Sequence, residues 1–312
     1  MLNAPQKYIE EFIHLLKMTI SPDNIQRKEC EARLNAIDKE TKLNLLLQVL
    51  INEKGSDILE ISSLMLRQAI YQCTDVKQFN EATLNTLKNT MPQLCLQQQD
   101  RNLRCKYVDI ISSLATLCYE DDKNHWPEVN SFFYECLVRS NHDIGKEIGL
   151  RIIETAPCIL GDFNDEFLGN IVKVITETMS ANIQTHKLFV INSLKAFSSL
   201  FVDLSSKRSK KYINTPLQII LHVIKNSNDV DTVSKFLEEL NVMIECKSRA
   251  LKEYIVPIAE TMVGLLASQH TAENIRIECM ECLVSMAEHC KKSFKSAAKA
   301  YLPAIIDVFI RH

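Results

Sequence analysis

Paired amphipathic segments recur along the whole chain at intervals of about forty residues. The stretch from His125 to Leu160 shows the pattern most clearly, because Trp126-Pro127-Glu128 opens one helix and a polar turn at 140–143 separates it from a second. Proline suits the first helical position, where its missing N–H has no partner to lose. Neither helix can bury its apolar stripe alone, so successive pairs are expected to stack on one another.

The spacing of these pairs indicates the type of repeat. Second helices are predicted to begin near residues 22, 56, 100, 141, 182, 229 and 272, in steps of 34 to 47 residues. The second of them is expected at about Ser56–Tyr71, the sixth pair at about Lys210–Lys225 and Asp229–Cys246, and the first helix of the seventh pair at about Ala250–Ser268. Proline recurs within first helices at Pro216, Pro257 and Pro303, 41 and 46 residues apart, and such prolines bend a helix. The period is that of HEAT and armadillo arrays. The sequence therefore predicts an all-α HEAT-repeat solenoid over residues 1–312, with about seven helix pairs plus the first helix of an eighth, Phe294–Arg311.

That last predicted helix ends the chain with an apolar stripe and no partner helix after it. Terminal repeats normally have a polar outer face. The expectation is that the chain forms the N-terminal portion of a longer array.

Composition excludes several other classes. The chain has only 6 Gly and 8 Pro and no strand-like alternation, which is unlike a β-rich fold. The net charge of −3 implies no general attraction to nucleic acid or to an anionic membrane. Charged residues interrupt the first twenty positions, so no secretory signal peptide is predicted there. The 11 cysteines are scattered, and they are therefore expected to be reduced thiols in the cytosol or nucleus. No apolar run approaches the length of a membrane helix, so no membrane insertion is predicted.

No pattern in the sequence indicates catalysis, and the prediction is that the protein is not an enzyme and needs no cofactor or metal. A phosphate-cradling glycine motif, a His-Glu-x-x-His motif and a glycine-flanked nucleophilic serine are all missing from the sequence. Cys279 and Cys282 form a CxxC with His289 and Cys290 nearby, but this spacing lies on one apolar helix face. Core packing is the preferred interpretation, and a zinc site is the alternative.

One dense basic cluster occurs, Lys207-Arg208-Ser209-Lys210-Lys211. It is interpreted as a solvated connector, with a localisation signal or an anion patch as the alternative. Because no aromatic residues are interleaved with it, direct nucleic-acid binding is not predicted.

Four motifs resemble the importin-β family of nuclear transport receptors, and within it the importin-beta-three subgroup. They are Ser21-Pro22-Asp23 between the first two helices, the run SPDNIQRKECEARLNAI with LLLQVL behind it, Arg67 within LMLRQAI, and Asn124-His125-Trp126-Pro127-Glu128. In the first motif, Ser21 is expected to cap the second helix and Pro22 to start it. The resemblance implies a right-handed superhelix with first helices outside and second helices lining the concave face. It also implies binding of the GTP form of the GTPase Ran, of phenylalanine–glycine (FG) nucleoporins and of import cargo with nuclear localisation signals, in a protein that shuttles between cytoplasm and nucleus.

The resemblance assigns candidate residues to two parts of the chain. The part at about 1–160 is expected to bind Ran through second-helix residues, namely Arg67, Gln68, Asn102, Lys106, Asp109 and Glu147. The part at about 160–312 is expected to bind nucleoporins through outer slots formed by DEFLGNIV and PLQIILHV, namely at Leu168, Val172, Leu217 and Ile220. A solvated face in the first case and ordinary inter-repeat core in the second are the alternatives. At the level of the whole protein, the alternatives are a HEAT scaffold unrelated to Ran, of the phosphatase or vesicle-coat type, and an export receptor.

Overall fold

The structure, a computed structural model, describes residues 5–120, 126–140, 142–160, 163–181, 183–295 and Pro303. These residues form helices joined by short turns, and no strand occurs among them. The predicted helix Phe294–Arg311 lies outside the described residues except for 294–295 and Pro303, which are helical. Asn124 and His125 of the sequence motifs, and Asn141 of the polar turn at 140–143, also lie outside them.

The chain divides into two compact units, Met1–Ile159 and Leu160–His312. The helices of the first unit are α1 Gln6–Met18, α2 Asn24–Ala36, α3 Lys39–Asn52, α4 Ser56–Tyr71, α5 Glu81–Gln97, α6 Arg101–Glu120, α7 Pro127–Tyr134 and α8 Asp143–Thr155. Those of the second are α9 Asp165–Met179, α10 Ile183–Asp203, α11 Ser206–Tyr212, α12 Asn214–Asn226, α13 Val230–Leu251, α14 Ile255–Ala267 and α15 Glu273–His289. The prediction of seven helix pairs is confirmed, with α11 as an additional short helix.

Within each unit, like helices of successive pairs pack on like. In the first unit, the second helices α4, α6 and α8 contact one another in sequence, and so do the first helices α3, α5 and α7. In the second unit, α10, α13 and α15 form the row of second helices, and α9, α12 and α14 form the row of first helices. This two-row packing is what buries the stripes that no single pair can bury.

Polar side chains fix the helix starts, and one predicted cap is wrong. Asp23, not Ser21, is the N-cap of α2, because its carboxylate accepts from the Ile25 N–H at 2.8 Å. Pro22 therefore precedes the helix instead of starting it, while Pro127 does occupy the first position of α7 as predicted. A carboxylate at an N-cap satisfies backbone donors that otherwise have no partner.

The sixth and seventh pairs differ from the prediction. The helix expected at Lys210–Lys225 is broken at Ile213 into α11 and α12. The buried Ser209 hydroxyl donates to the Phe201 carbonyl at 3.0 Å and holds α11 against the end of α10. Helix α13 continues past the expected end at Cys246 to Leu251, with a kink at Lys247. The seventh first helix starts at Ile255 instead of Ala250.

Two glycines let α8 approach the end of α7 closely. A Cβ on Gly149 would lie 2.5 Å from the Leu137 Cβ, and one on Gly145 would lie 2.5 Å from the Ser140 Oγ. The chain passes through a π-helical turn at Glu135–Arg139, so Leu137 faces Gly149 directly. Any side chain at position 149 would force these helices apart.

Candidate binding surfaces

Three charged residues align across the second-helix row of the first unit. They are Arg67 on α4, Asp109 on α6 and Arg151 on α8, and each lies 42 residues after the one before. Asp109 accepts from Arg67 Nη1 at 3.0 Å and from Arg151 Nε at 3.0 Å. Asp109 is only 7% exposed, so its charge is compensated mainly by these two arginines and little by solvent.

A second ion-pair cluster lies on the same row, between α6 and α8. Glu147 is buried and accepts from Arg104 Nη2 at 2.6 Å and from Arg101 Nε. Arg104 also donates to the Gln98 carbonyl at 2.9 Å, which ties the start of α6 to the end of α5. A buried ion pair adds little net stability, but removing one partner leaves a costly unpaired charge.

The six residues predicted to bind Ran thus differ in how accessible they are. Arg67, Gln68 and Asn102 are exposed, and Lys106 is half-buried with its ammonium 3.1 Å from Glu60 Oε2. Asp109 and Glu147 are buried and paired with arginines. Their assignment stays a prediction, and the structure gives them a further task, that of holding neighbouring second helices together.

Two apolar residues on α4 were missed from the sequence. Leu64 is 53% exposed and Tyr71 is 84% exposed, and they lie one turn before and one turn after Arg67 and Gln68. Tyr71 also lines a cavity of about 300 Å³, together with Arg67, Ile70, Asp109, Ser112 and Thr155 among others. The buried face of α4 is formed by Ile58, Leu59, Leu66 and Ile70. Helical spacing places Leu64 and Tyr71 off that face, so the sequence could have indicated that both are exposed.

A groove of about 390 Å³ lies between the first helices of the fifth and sixth pairs, within the second unit. It is lined by Gly169, Val172, Lys173, Thr176, Glu177, Lys211, Tyr212, Asn214, Thr215 and Pro216. Of the four residues predicted to form a nucleoporin slot, Val172 lines this groove. Leu168, Leu217 and Ile220 are at most 1% exposed and belong to the core. Tyr212 was not predicted as a groove residue, because the predicted helix ran unbroken from Lys210 to Lys225 and did not show that α11 ends at Tyr212.

The cysteine-rich segment of α15 packs as its helical spacing predicts. Cys279 and Cys282 are buried, and the Cys282 thiol points to the Leu237 carbonyl of α13 at 3.8 Å. Burial raises the pKa of the Cys279 thiol to about 12, so this thiol is protonated at neutral pH and is a poor nucleophile. No three His, Cys, Asp or Glu side chains converge as a metal group within the described part of the chain.

The basic cluster at Lys207–Lys211 forms α11, and its charges are largely neutralised. Asp165 lies 2.7 Å from Lys211 Nζ and 3.4 Å from Arg208 Nε, and Lys210 lies 4.0 Å from Glu253. The Lys211 hydrogen bond lowers the pKa of the Asp165 carboxyl.

Among the described residues, no helix combines the length and apolar character that a bilayer crossing requires.

The helix pairs, their stacking in two rows and the contacts between residues 42 to 44 positions apart define a protein of the HEAT-repeat class. The model of one family, described as IPO5-like with TPR repeats, matches residues 99–261. The chain belongs to this IPO5-like family, within the importin-β type of receptors.

Solved structures of Kap121p have a similar fold. Kap121p bound to RanGTP has a TM-score of 0.79 at 17% identity, over 98% of this chain and 28% of that one. Kap121p bound to Nup53p has a TM-score of 0.79 at 16% identity, over 98% of this chain and 29% of that one. Kap121p bound to Ste12p gives the same values as the Nup53p complex. This chain therefore spans less than a third of the length of the structures it matches.

Proposed function

We propose that this chain is part of a nuclear import receptor, which binds Ran-GTP through α4 and α6, FG nucleoporins through the groove beside α9, and import cargo with nuclear localisation signals. The observation that carries the proposal is the match of residues 99–261 to the IPO5-like family. The similar fold of Kap121p in its complexes with RanGTP and Nup53p supports the classes of partner. On this proposal the protein shuttles between cytoplasm and nucleus and works by reversible binding, not by catalysis.

The proposed Ran surface combines cations with exposed apolar side chains. Arg67, Gln68, Asn102 and Lys106 offer polar groups, and Leu64 and Tyr71 on α4 offer apolar area. Protein interfaces are enriched in tyrosine and arginine at their centres. Asp109 and Glu147 contribute indirectly, because they fix the arginines and helices that carry this surface.

Substitution of the two apolar residues tests this surface. Leu64→Ser with Tyr71→Ser is expected to weaken binding to GTP-loaded Ran by about tenfold or more, since buried aromatic anchors often contribute 2 kcal/mol. Leu96→Ser with Tyr8→Ser is the matched control, because Leu96 on α5 and Tyr8 on α1 are 48% and 61% exposed on first helices. Equal weakening by both variants, measured by interferometry, would remove α4 from the proposal.

The groove beside α9 suits a single aromatic ring. Val172, Pro216 and the Tyr212 ring supply apolar walls, and Gly169 leaves its mouth open, because a Cβ there would meet nothing within 4 Å. Burying a phenylalanine side chain contributes roughly 1.5–3 kcal/mol. Contacts of this strength are weak singly, which suits repeated and rapid exchange.

A glycine pair provides a matched test of the groove. Gly169→Leu fills the mouth of the groove, whereas Gly264→Leu places the same side chain at an equally open site on the first helix α14. The proposal expects loss of FG-peptide binding, measured by fluorescence anisotropy, for the variant at position 169 only. Retained binding in that variant would exclude the groove as the nucleoporin site.

The two rival functions predict different results. An export receptor also binds Ran-GTP, but Ran-GTP then strengthens cargo binding instead of releasing it. A phosphatase or vesicle-coat scaffold has no reason to distinguish the GTP and GDP forms of Ran. Measuring cargo affinity with and without GTP-loaded Ran separates all three.

A further inference from the structure

A cavity of about 470 Å³ in the second unit is surrounded by basic residues from distant parts of the sequence. Its ionisable lining consists of Arg249 in the last turn of α13, Lys252 just after it, and Glu288, His289, Lys291 and Lys292 at and after the end of α15. The fixed positive charges exceed the negative ones by three. This cluster is not visible as a run in the sequence, unlike Lys207–Lys211.

The repeat register brings these residues together. Arg249 and Lys291 are 42 residues apart, the same step that separates Arg67 from Asp109. The kink of α13 at Lys247 turns the chain, and the Cys290 thiol points to the Ser248 carbonyl at 4.0 Å, so the ends of α13 and α15 lie side by side. Lys247 itself donates to the Leu204 carbonyl at 2.8 Å, which holds the kink against the end of α10.

The cations of this cavity have no acidic partner within the described part of the chain, in contrast with those of α11. Asp165 and Glu253 pair with three of the basic residues of α11. Within the described residues, no carboxylate lies at ion-pair distance from Arg249, Lys252, Lys291 or Lys292, although each of them is exposed. Cations clustered in a concave site create a strong local positive potential.

We propose that this cavity is a binding site for a small oligophosphate, independent of the transport proposal. A single carboxylate would leave most of the positive charge uncompensated, whereas each phosphate supplies up to two charges and three acceptor oxygens. Ser248 and Ser293 also line the cavity and add hydroxyl donors. The volume is typical of small-ligand sites, and the lining has no Phe, Tyr or Trp ring on which a nucleobase would stack.

Calorimetric titration of the full chain with sodium tripolyphosphate tests the site. The expected result is saturable binding that weakens as salt rises. Lys252→Gln with Lys292→Gln is expected to weaken it about tenfold, because two charge-assisted contacts are lost. Lys207→Gln with Lys225→Gln removes the same charge from exposed positions of the same unit and is expected to leave the affinity within about twofold.

Three results would overturn the assignment. The first is the absence of saturable binding by the unaltered chain at low salt. The second is equal weakening by the two lysine pairs, which would show a general charge effect. The third is tighter binding of a hexaglutamate peptide or of a doubly phosphorylated serine peptide than of tripolyphosphate, since either would assign the surface to a peptide.

Discussion

The guanidinium of Arg67 and the carboxylate of Asp109 meet at 3.0 Å across 42 residues of sequence. Asp109 is buried and also accepts from Arg151, whereas the Arg67 side chain is 47% exposed. One member of the pair therefore serves mainly the stability of the helix row, while the other remains available to a partner.

This asymmetry predicts different effects of the two alanine substitutions. Asp109→Ala leaves Arg67 and Arg151 without their shared acceptor and is expected to lower the free energy of unfolding by about 1–3 kcal/mol. Arg67→Ala leaves Asp109 paired with Arg151, and because Arg67 is half-exposed the cost is expected to be below about 1 kcal/mol. Urea unfolding followed by circular dichroism measures both. Equal losses would contradict the division of roles.

The close approach of Gly149 to Leu137 predicts that a larger side chain at position 149 destabilises the protein. Gly149→Ala places a methyl group 2.5 Å from the Leu137 Cβ and is expected to destabilise the protein by about 1–3 kcal/mol. Gly264→Ala is the control, because its Cβ meets nothing within 4 Å, and alanine is favoured over glycine in a helix by about 0.5–1 kcal/mol. The midpoint of thermal unfolding should therefore fall for Gly149→Ala and rise for Gly264→Ala. A stabilised alanine variant at position 149 would show that α7 and α8 are not in close contact.

The start of α13 predicts a dependence of stability on pH. The Lys187 ammonium lies 2.6 Å from Asp229, and its hydrogen bond lowers the pKa of the Asp229 carboxyl, with help from Thr232. A carboxyl whose pKa is lowered on folding stabilises the protein above its ordinary pKa, and this contribution is lost as pH falls through the folded value. Asp229→Asn is therefore expected to destabilise the protein at neutral pH, and its difference from the unaltered chain is expected to shrink as pH falls through the lowered pKa of Asp229.

Asp231 supplies the control for this experiment. Its side chain is 88% exposed and 3.9 Å from the same ammonium, so Asp231→Asn should change the pH profile of unfolding much less. The account of Lys187 and Asp229 is wrong if the two variants have the same profile.

The repeat architecture was predictable because it depends on the spacing of apolar residues, which a sequence displays directly. Helix α4 was predicted with its observed bounds, Ser56–Tyr71. The separate helix α11, which was not predicted, is joined to the end of α10 by the buried Ser209 hydroxyl, which donates to the Phe201 carbonyl. Hydrogen bonds of that kind follow from tertiary packing, and no spacing rule indicates them.

The candidate surfaces were only partly predictable for the same reason. The sequence places Asp109 and Glu147 on second helices, but it does not show that Arg151 and Arg101 reach them from neighbouring helices. It likewise does not distinguish the lysines of α11, which pair with Asp165 and Glu253, from Lys291 and its neighbours, which have no ion-pair partner among the described residues. Pairing across a 42-residue register becomes apparent only when the repeats are stacked.

The proposed function is tested most directly by comparing the affinity of this chain for Ran loaded with a non-hydrolysable GTP analogue and for Ran loaded with GDP. Calorimetry with both forms under the same conditions is sufficient. We expect the chain to bind the GTP form clearly more tightly than the GDP form. The double variant Leu64→Ser, Tyr71→Ser is expected to bind the GTP form more weakly than the unaltered chain. Equal affinity of the unaltered chain for the two forms, or binding to neither, would contradict the proposed function.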